Sequence, residues 1–284
     1  LTELTENVLA FTRKNNDMTD TQFKEIKVAV GPAQVGARVG GEGPPLVLLH
    51  SLLADASSFD RITAPLAKKH QVIVLDLPGF GGSDAVDGGL KAVADRVAQA
   101  IKNLKLPTKP VLIGNGYGGF VTLLAAIRHP DLAQRLVLAD CGAMFSEPGR
   151  AAFRGMSNAV RANGLAAIAD VAMRRLFAPE YQALNPELTA QRKERFLAVN
   201  VDVFHAACAA LASLDLREQL ATIKLPVLVV VGELDEATPP PMSRELAAGL
   251  PNARLEVLPG LAHVPQLQAP DVFLATIADF IAAK

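Results

Sequence analysis

Residues 112–121 read "LIGNGYGGFV". An apolar run ends at Ile113, a glycine-dense turn follows, and a second apolar run begins at Phe120. That order predicts strand, sharp turn and helix, because glycine accepts positive φ and lets two elements approach closely. The spacing is G-x-?-x-G-G, and its middle position is Gly116. A turn of this shape can hold a reactive side chain at the tip of a sheet, yet here the tip carries none. It is not a phosphate loop either, because the spacing and the basic residue of a P-loop are missing. The glycine pattern of a dinucleotide fold is likewise incomplete.

Working outward, "EIKVAV" (25–30) and "QVGARVG" (34–40) alternate like an opening hairpin. "PLVLLH" (45–50), "QVIVLD" (71–76), "PVLIG" (110–114), "RLVLAD" (135–140), "PVLVVVG" (226–232) and "RLEVLP" (254–259) read as buried strands. Continuous apolar runs of this length suit parallel strands covered on both faces. Between them, "AVADRVAQAIKNL" (92–104), the stretch after Gly116 and "SRELAAGL" (243–250) place apolar residues at helical spacing. The expected class is α/β, a mostly parallel sheet with helices on both faces. After the sixth strand the rhythm stops, and residues 144–215 offer only helical pieces such as "LAAIADVAMRRLF" and "VFHAACAALASL". These predict a helical lid over the carboxyl ends of the strands, with 1–143 and 216–284 forming the core.

The chain has 284 residues, half of them apolar, and a net charge of −1. Such a balance gives no electrostatic reason to expect nucleic acid or an anionic membrane as partner, so a small molecule is the expected ligand. No window holds the roughly 20 apolar residues that span a bilayer. The opening "LTELTENVLAFTRKNNDMTD" lacks the basic start and apolar run of a signal peptide. The expectation is a soluble cytoplasmic protein. Cys141 and Cys208 are too few for a disulfide framework, and no His/Cys spacing suggests a metal, so no metal is expected.

The polar residues that matter stand just after strands: His50 and Ser51, Gly116 and Tyr117, Glu233 and Asp235, and His263 in "PGLAHVPQ". Together these turns resemble the α/β-hydrolase family, in which nucleophile, acid and histidine follow one another along the chain. "LDLPGFGGSD" (75–84) resembles the family's strand and glycine-rich loop. "HSLLADASSFD" (50–60), where many hydrolases have His-Gly, "AACAALASLDLREQL" (206–220) and "PVLVVVGELDEATPP" (226–240) resemble 3-oxoadipate enol-lactonases in particular. The resemblance implies a carboxylic ester or lactone as substrate, with no cofactor. It places His263 as base and Asp235, with Glu233 as a substitute, as its orienting acid. The backbone amides of Tyr117 and Leu52 would receive the oxyanion, with Ser51 or Leu53 in place of Leu52 if the register differs by one. A lactone bearing a carboxylate would call for a cation, which Arg174 or Arg175 could supply. Asp76 and Asp140 are expected to shape turns, and Cys141 to pack.

Gly116 stands at the nucleophile position. The strained backbone of such a turn suits glycine, so the elbow should persist without its Oγ. Loss of a triad serine can cost on the order of 10⁶ in turnover. Three readings follow. His263 activates a water, giving an impaired or altered hydrolase. Alternatively, the chain is a non-catalytic ligand-binding relative, or a nucleophile knockout of a serine hydrolase.

Overall fold

A computed structural model describes residues 22–283. The opening stretch from which no leader was expected lies outside the described residues. Eight strands form one sheet: β1 (Lys24–Val30), β2 (Ala33–Gly40), β3 (Pro45–Leu49), β4 (Gln71–Leu75), β5 (Val111–Asn115), β6 (Arg135–Ala139), β7 (Val227–Gly232) and β8 (Ala253–Leu258). Their order is β1-β2-β4-β3-β5-β6-β7-β8. The β1–β2 and β2–β4 pairs are antiparallel, and β4 through β8 are parallel.

The two-residue period of a strand splits the apolar runs between two cores. Val47, Leu49, Leu112 and Leu138 face one side, and Leu46, Leu48, Val111 and Val137 the other. Helices α1 (Asp60–Ala67), α2 (Gly89–Asn103) and α3 (Tyr117–Arg128) cover the sheet, each inserting its apolar stripe. Ile62 and Leu66 of α1 enter one core, while Val93 and Val97 of α2 and Phe120 of α3 enter the other. Helix α3 is buried along all but its last two positions, which is why its sequence shows an apolar run and little amphipathic pattern. One strand differs from its sequence reading. "RLEVLP" was expected to be buried, but β8 is an edge strand whose Arg254 and Glu256 are exposed. A charged residue at every second position keeps such an edge from pairing further.

Between β6 and β7 the chain makes a helical lid: α4 (Glu147–Asn163), α5 (Ala169–Leu176), α6 (Pro179–Leu184), α7 (Pro186–Leu197) and α8 (Val201–Ser213). Met144 and Asp215 form an isolated antiparallel bridge at its neck. Arg150 fastens that neck, donating to the carbonyls of Phe145 (2.8 Å), Ala212 (3.1 Å) and Leu214 (3.1 Å). Three further helices, α9 (Pro240–Gly249), α10 (Pro265–Gln268) and α11 (Pro270–Ala282), complete the core. Among the described residues no single helix is long and apolar enough to cross a membrane.

The sheet order also places the site. From β3 the chain moves to β4 on one side and then to β5 on the other. The carboxyl ends of β3 and β5 therefore flank a topological switch point, where open α/β sheets leave a crevice.

Candidate active site

Gly116 joins β5 to α3 with φ +54° and ψ −118°, a conformation costly to any residue with a Cβ. Its amide donates to the Ala139 carbonyl (2.9 Å), and its own carbonyl accepts from Gly119 (2.9 Å). Gly118 donates to the His50 carbonyl (2.9 Å), tying the elbow to the end of β3. A Cβ at Gly118 would stand 2.1 Å from the Leu49 carbonyl oxygen, so this contact requires glycine.

Opposite the elbow, His263 is buried, and its Nδ1 lies 2.9 Å from Asp235 Oδ2. Asp235 also accepts from the amides of Ala237 (2.8 Å) and Thr238 (3.0 Å) and from the Thr238 hydroxyl (2.6 Å). Burial pushes the Asp235 carboxyl up, but the His263 ring and the Thr238 donors outweigh it and hold its pKa below the usual value. An ionised Asp235 accepts the Nδ1 proton, leaving Nε2 as the basic nitrogen. Asn115, at the tip of β5, donates to the His263 carbonyl (2.9 Å) and is itself held by Gln266 (3.1 Å). The histidine loop is thus fixed from below. Glu233 plays no part here: it accepts from the Gly260 amide at 2.9 Å, on the exposed side.

What Nε2 faces is a hydroxyl. Ser51 Oγ lies 3.1 Å away and donates to it, and Ser51 is buried. His50 holds that serine in place. Its ring donates from Nδ1 to the Ser51 carbonyl (2.9 Å), and its Nε2 accepts from the Leu77 amide (3.2 Å). Burial pushes the His50 pKa down, consistent with a neutral ring holding both bonds. A Cβ built at Gly116 would sit 2.5 Å from Ser51 Oγ and 2.7 Å from His263 Nε2. Ser51 therefore occupies the space a side chain at 116 would need. Its pairing with His263 is the main feature sequence reading missed, although both residues had been singled out.

Ser51, Leu52, Gly116, Tyr117 and His263 border a cavity of about 30 Å³ beneath the lid. Phe120, Phe145, Phe153, Met156 and Leu211 supply its apolar wall. Neither the Leu52 nor the Tyr117 amide has a backbone acceptor among the described residues. The two candidate cations separate: Arg175 of α5 is half-buried and lines the cavity, whereas Arg174 is exposed and does not. Hollows of about 420 and 860 Å³ lie elsewhere on the surface, away from His263.

Two turn residues behave differently. Asp76 accepts from the Gly82 amide at 2.8 Å and shapes a turn, as expected. Asp140 does more. It is buried with φ +53°, accepts from Gly232 (2.9 Å) and Asn115 (3.2 Å), and lies beside Asp235. Burial, then the Asp235 charge, push its pKa well above the usual 3.8. Asp140, Asp235 and His263 offer one ligand atom each within 4.8 Å of one another, but the hydrogen bonds above already engage those atoms. Cys141 packs against Gly119, and burial raises its thiol pKa, which disfavours the thiolate.

Residues 46–276 match the profile of the "Alpha/beta hydrolase family". The chain belongs to that family. Among relatives of this hydrolase-family chain is 3-oxoadipate enol-lactonase 2 of Acinetobacter baylyi, 27% identical over 254 residues, covering 88% of this chain and 94% of that protein. The pimeloyl-[acyl-carrier protein] methyl ester esterase of Shewanella woodyi is 31% identical, covering 85% and 95%. The crystal structure of the enol-lactonase from Burkholderia xenovorans LB400 superposes with a TM-score of 0.84 at 28% identity, over 90% of this chain and 99% of that one. The fold is thus shared over nearly the full length of both chains.

Proposed function

We propose that this chain hydrolyses a small carboxylic ester or lactone, with His263 as general base and Asp235 as the residue that orients it. The observation carrying this reading is the buried Asp235–His263 pair, whose Nε2 faces the cavity-lining hydroxyl of Ser51 beside Gly116. In this reading His263 Nε2 takes the proton of the attacking water, and the amides of Leu52 and Tyr117 receive the developing oxyanion. Arg175 supplies the positive charge for an acidic substrate, and Arg174, exposed on the lid, supplies none. The lactonase and esterase relatives support ester chemistry, and no step in it calls for a cofactor.

In the knockout reading, a serine at 116 would require the Ser51 side chain and His263 to shift. The test is a panel of small esters and lactones, including acidic lactones, measured beside His263→Ala. Hydrolysis that falls about 10²–10⁴-fold with His263→Ala is the expected result. Ligand binding without turnover, unaffected by His263→Ala, would replace this reading with that of a binding protein.

A further inference from the structure

We propose that Ser51, standing at the end of β3, is the nucleophile of this site, so that a Ser51–His263–Asp235 triad works where the elbow carries only Gly116. The inference rests on the ester-hydrolysis reading and adds the covalent step to it.

Three observations carry it. First, Ser51 Oγ donates to His263 Nε2 at 3.1 Å, and that ring is held by Asp235 at 2.9 Å through its other nitrogen. Hydroxyl, base and orienting carboxylate are thus in line, which is how a triad is recognised irrespective of chain order. Second, the hydroxyl takes the room left by Gly116. A Cβ there would fall 2.5 Å from Ser51 Oγ, 2.9 Å from Ser51 Cβ and 2.7 Å from His263 Nε2, so with glycine at 116 the hydroxyl nearest Nε2 is that of Ser51. Third, Ser51 is fixed. It is 1% exposed, and its carbonyl accepts from His50 Nδ1 at 2.9 Å and from the Ala54 amide at 3.3 Å. The residue that follows it, Leu52, borders the same cavity as Tyr117, and neither amide has a backbone acceptor among the described residues, so both are available to an oxyanion.

The chemistry balances without a co-reactant beyond water. Ser51 Oγ attacks the ester carbonyl carbon as its proton passes to His263 Nε2, and the carbonyl π pair moves onto oxygen. Collapse breaks the bond to the alkoxy or enolate oxygen, which leaves with the His263 proton. The acyl group is now an ester of Ser51. Water, deprotonated by His263, adds to that ester, and Ser51 Oγ leaves and recovers its proton, releasing the acid.

The test treats the wild-type chain with a fluorophosphonate and maps the adduct by peptide mass spectrometry, beside the ester panel. One phosphonyl group per chain on Ser51 is expected, together with its disappearance in Ser51→Ala and a loss of at least about 10³-fold in kcat. In the double variant Ser51→Gly with Gly116→Ser the adduct should move to position 116. Ester hydrolysis by an unlabelled wild type, with Ser51→Ala within ten-fold of it, would overturn the Ser51 step and leave hydrolysis by direct water attack. Labelling of Ser51 without turnover of any ester would support the nucleophile and remove the ester reading. Neither labelling nor turnover would remove both. The wild-type adduct needs no variant to fold, and the melting temperature of Ser51→Ala separates a chemical loss from a structural one.

Discussion

Asp140 and Asp235 lie side by side beneath His263, and their surroundings push them in opposite directions. The His263 ring and the Thr238 donors favour an ionised Asp235. Burial and the neighbouring Asp235 charge disfavour ionisation of Asp140. The two carboxyls should therefore respond differently to the same substitution. Asp235→Asn should lower kcat/KM about 10⁴-fold, because the amide stabilises the wrong tautomer of His263. Asp140→Asn removes a carboxyl whose ionisation burial already disfavours and should cost less than about ten-fold. Steady-state kinetics on one ester decides it, and equal losses would mean that both carboxylates serve His263. At this scale the sequence was informative wherever a residue sits in a recognisable turn, as His263 and Asp235 do. It was silent on pairings across the sheet. Ser51 and His263 are 212 positions apart, and no local pattern links them. The signal was present in two places read separately: a hydroxyl at the end of the third strand and a missing one at the end of the fifth.

The loop leaving β3 is held by a histidine that must stay uncharged. His50 accepts from the Leu77 amide through Nε2, and protonation would replace that acceptor with a donor. Its folded pKa is pushed below 6.5 by burial. The unfolded chain then takes up its proton first on acidification, so stability from this group is complete above 6.5 and is lost as pH falls towards the folded value. His70, also lowered by burial, adds the same sign. Urea unfolding between pH 7.5 and about 5 should show falling stability. In His50→Gln that slope should be shallower, from a lower starting stability; an identical slope would place the titration elsewhere. Strands were the most legible elements, because continuous Val, Ile and Leu runs have few alternatives once glycine and proline bound them. β8 was legible as a strand but not as an edge, since its neighbours are a matter of topology.

At the scale of the molecule, Arg192 of α7 is a buried polar contact that joins the lid to the core. Its side chain is 4% exposed and reaches Ser57 at 2.9 Å and Asp55 at 3.5 Å, in the loop between β3 and α1. Burial lowers its pKa, and Asp55 opposes that shift. Arg192→Ala should cost about 1–3 kcal/mol and speed proteolytic cleavage within residues 147–213. Thermal unfolding and limited proteolysis check both, and an unchanged cleavage pattern would mean that the apolar packing alone holds the lid down. That a lid exists was readable from the missing strands between β6 and β7. How it is fastened was not, because Arg192 lies on a helix face whose charges look like any solvated surface. The cavity under this lid has consequences for timing. A chamber of about 30 Å³ accommodates a water molecule, whereas pockets that hold a drug-sized ligand start at roughly 300 Å³. On the ester-hydrolysis reading, the apolar wall of Phe145, Phe153 and Met156 has to move aside to admit a substrate. Where that movement limits turnover, added viscogen should lower kcat, because it slows the wall and leaves bond-making untouched.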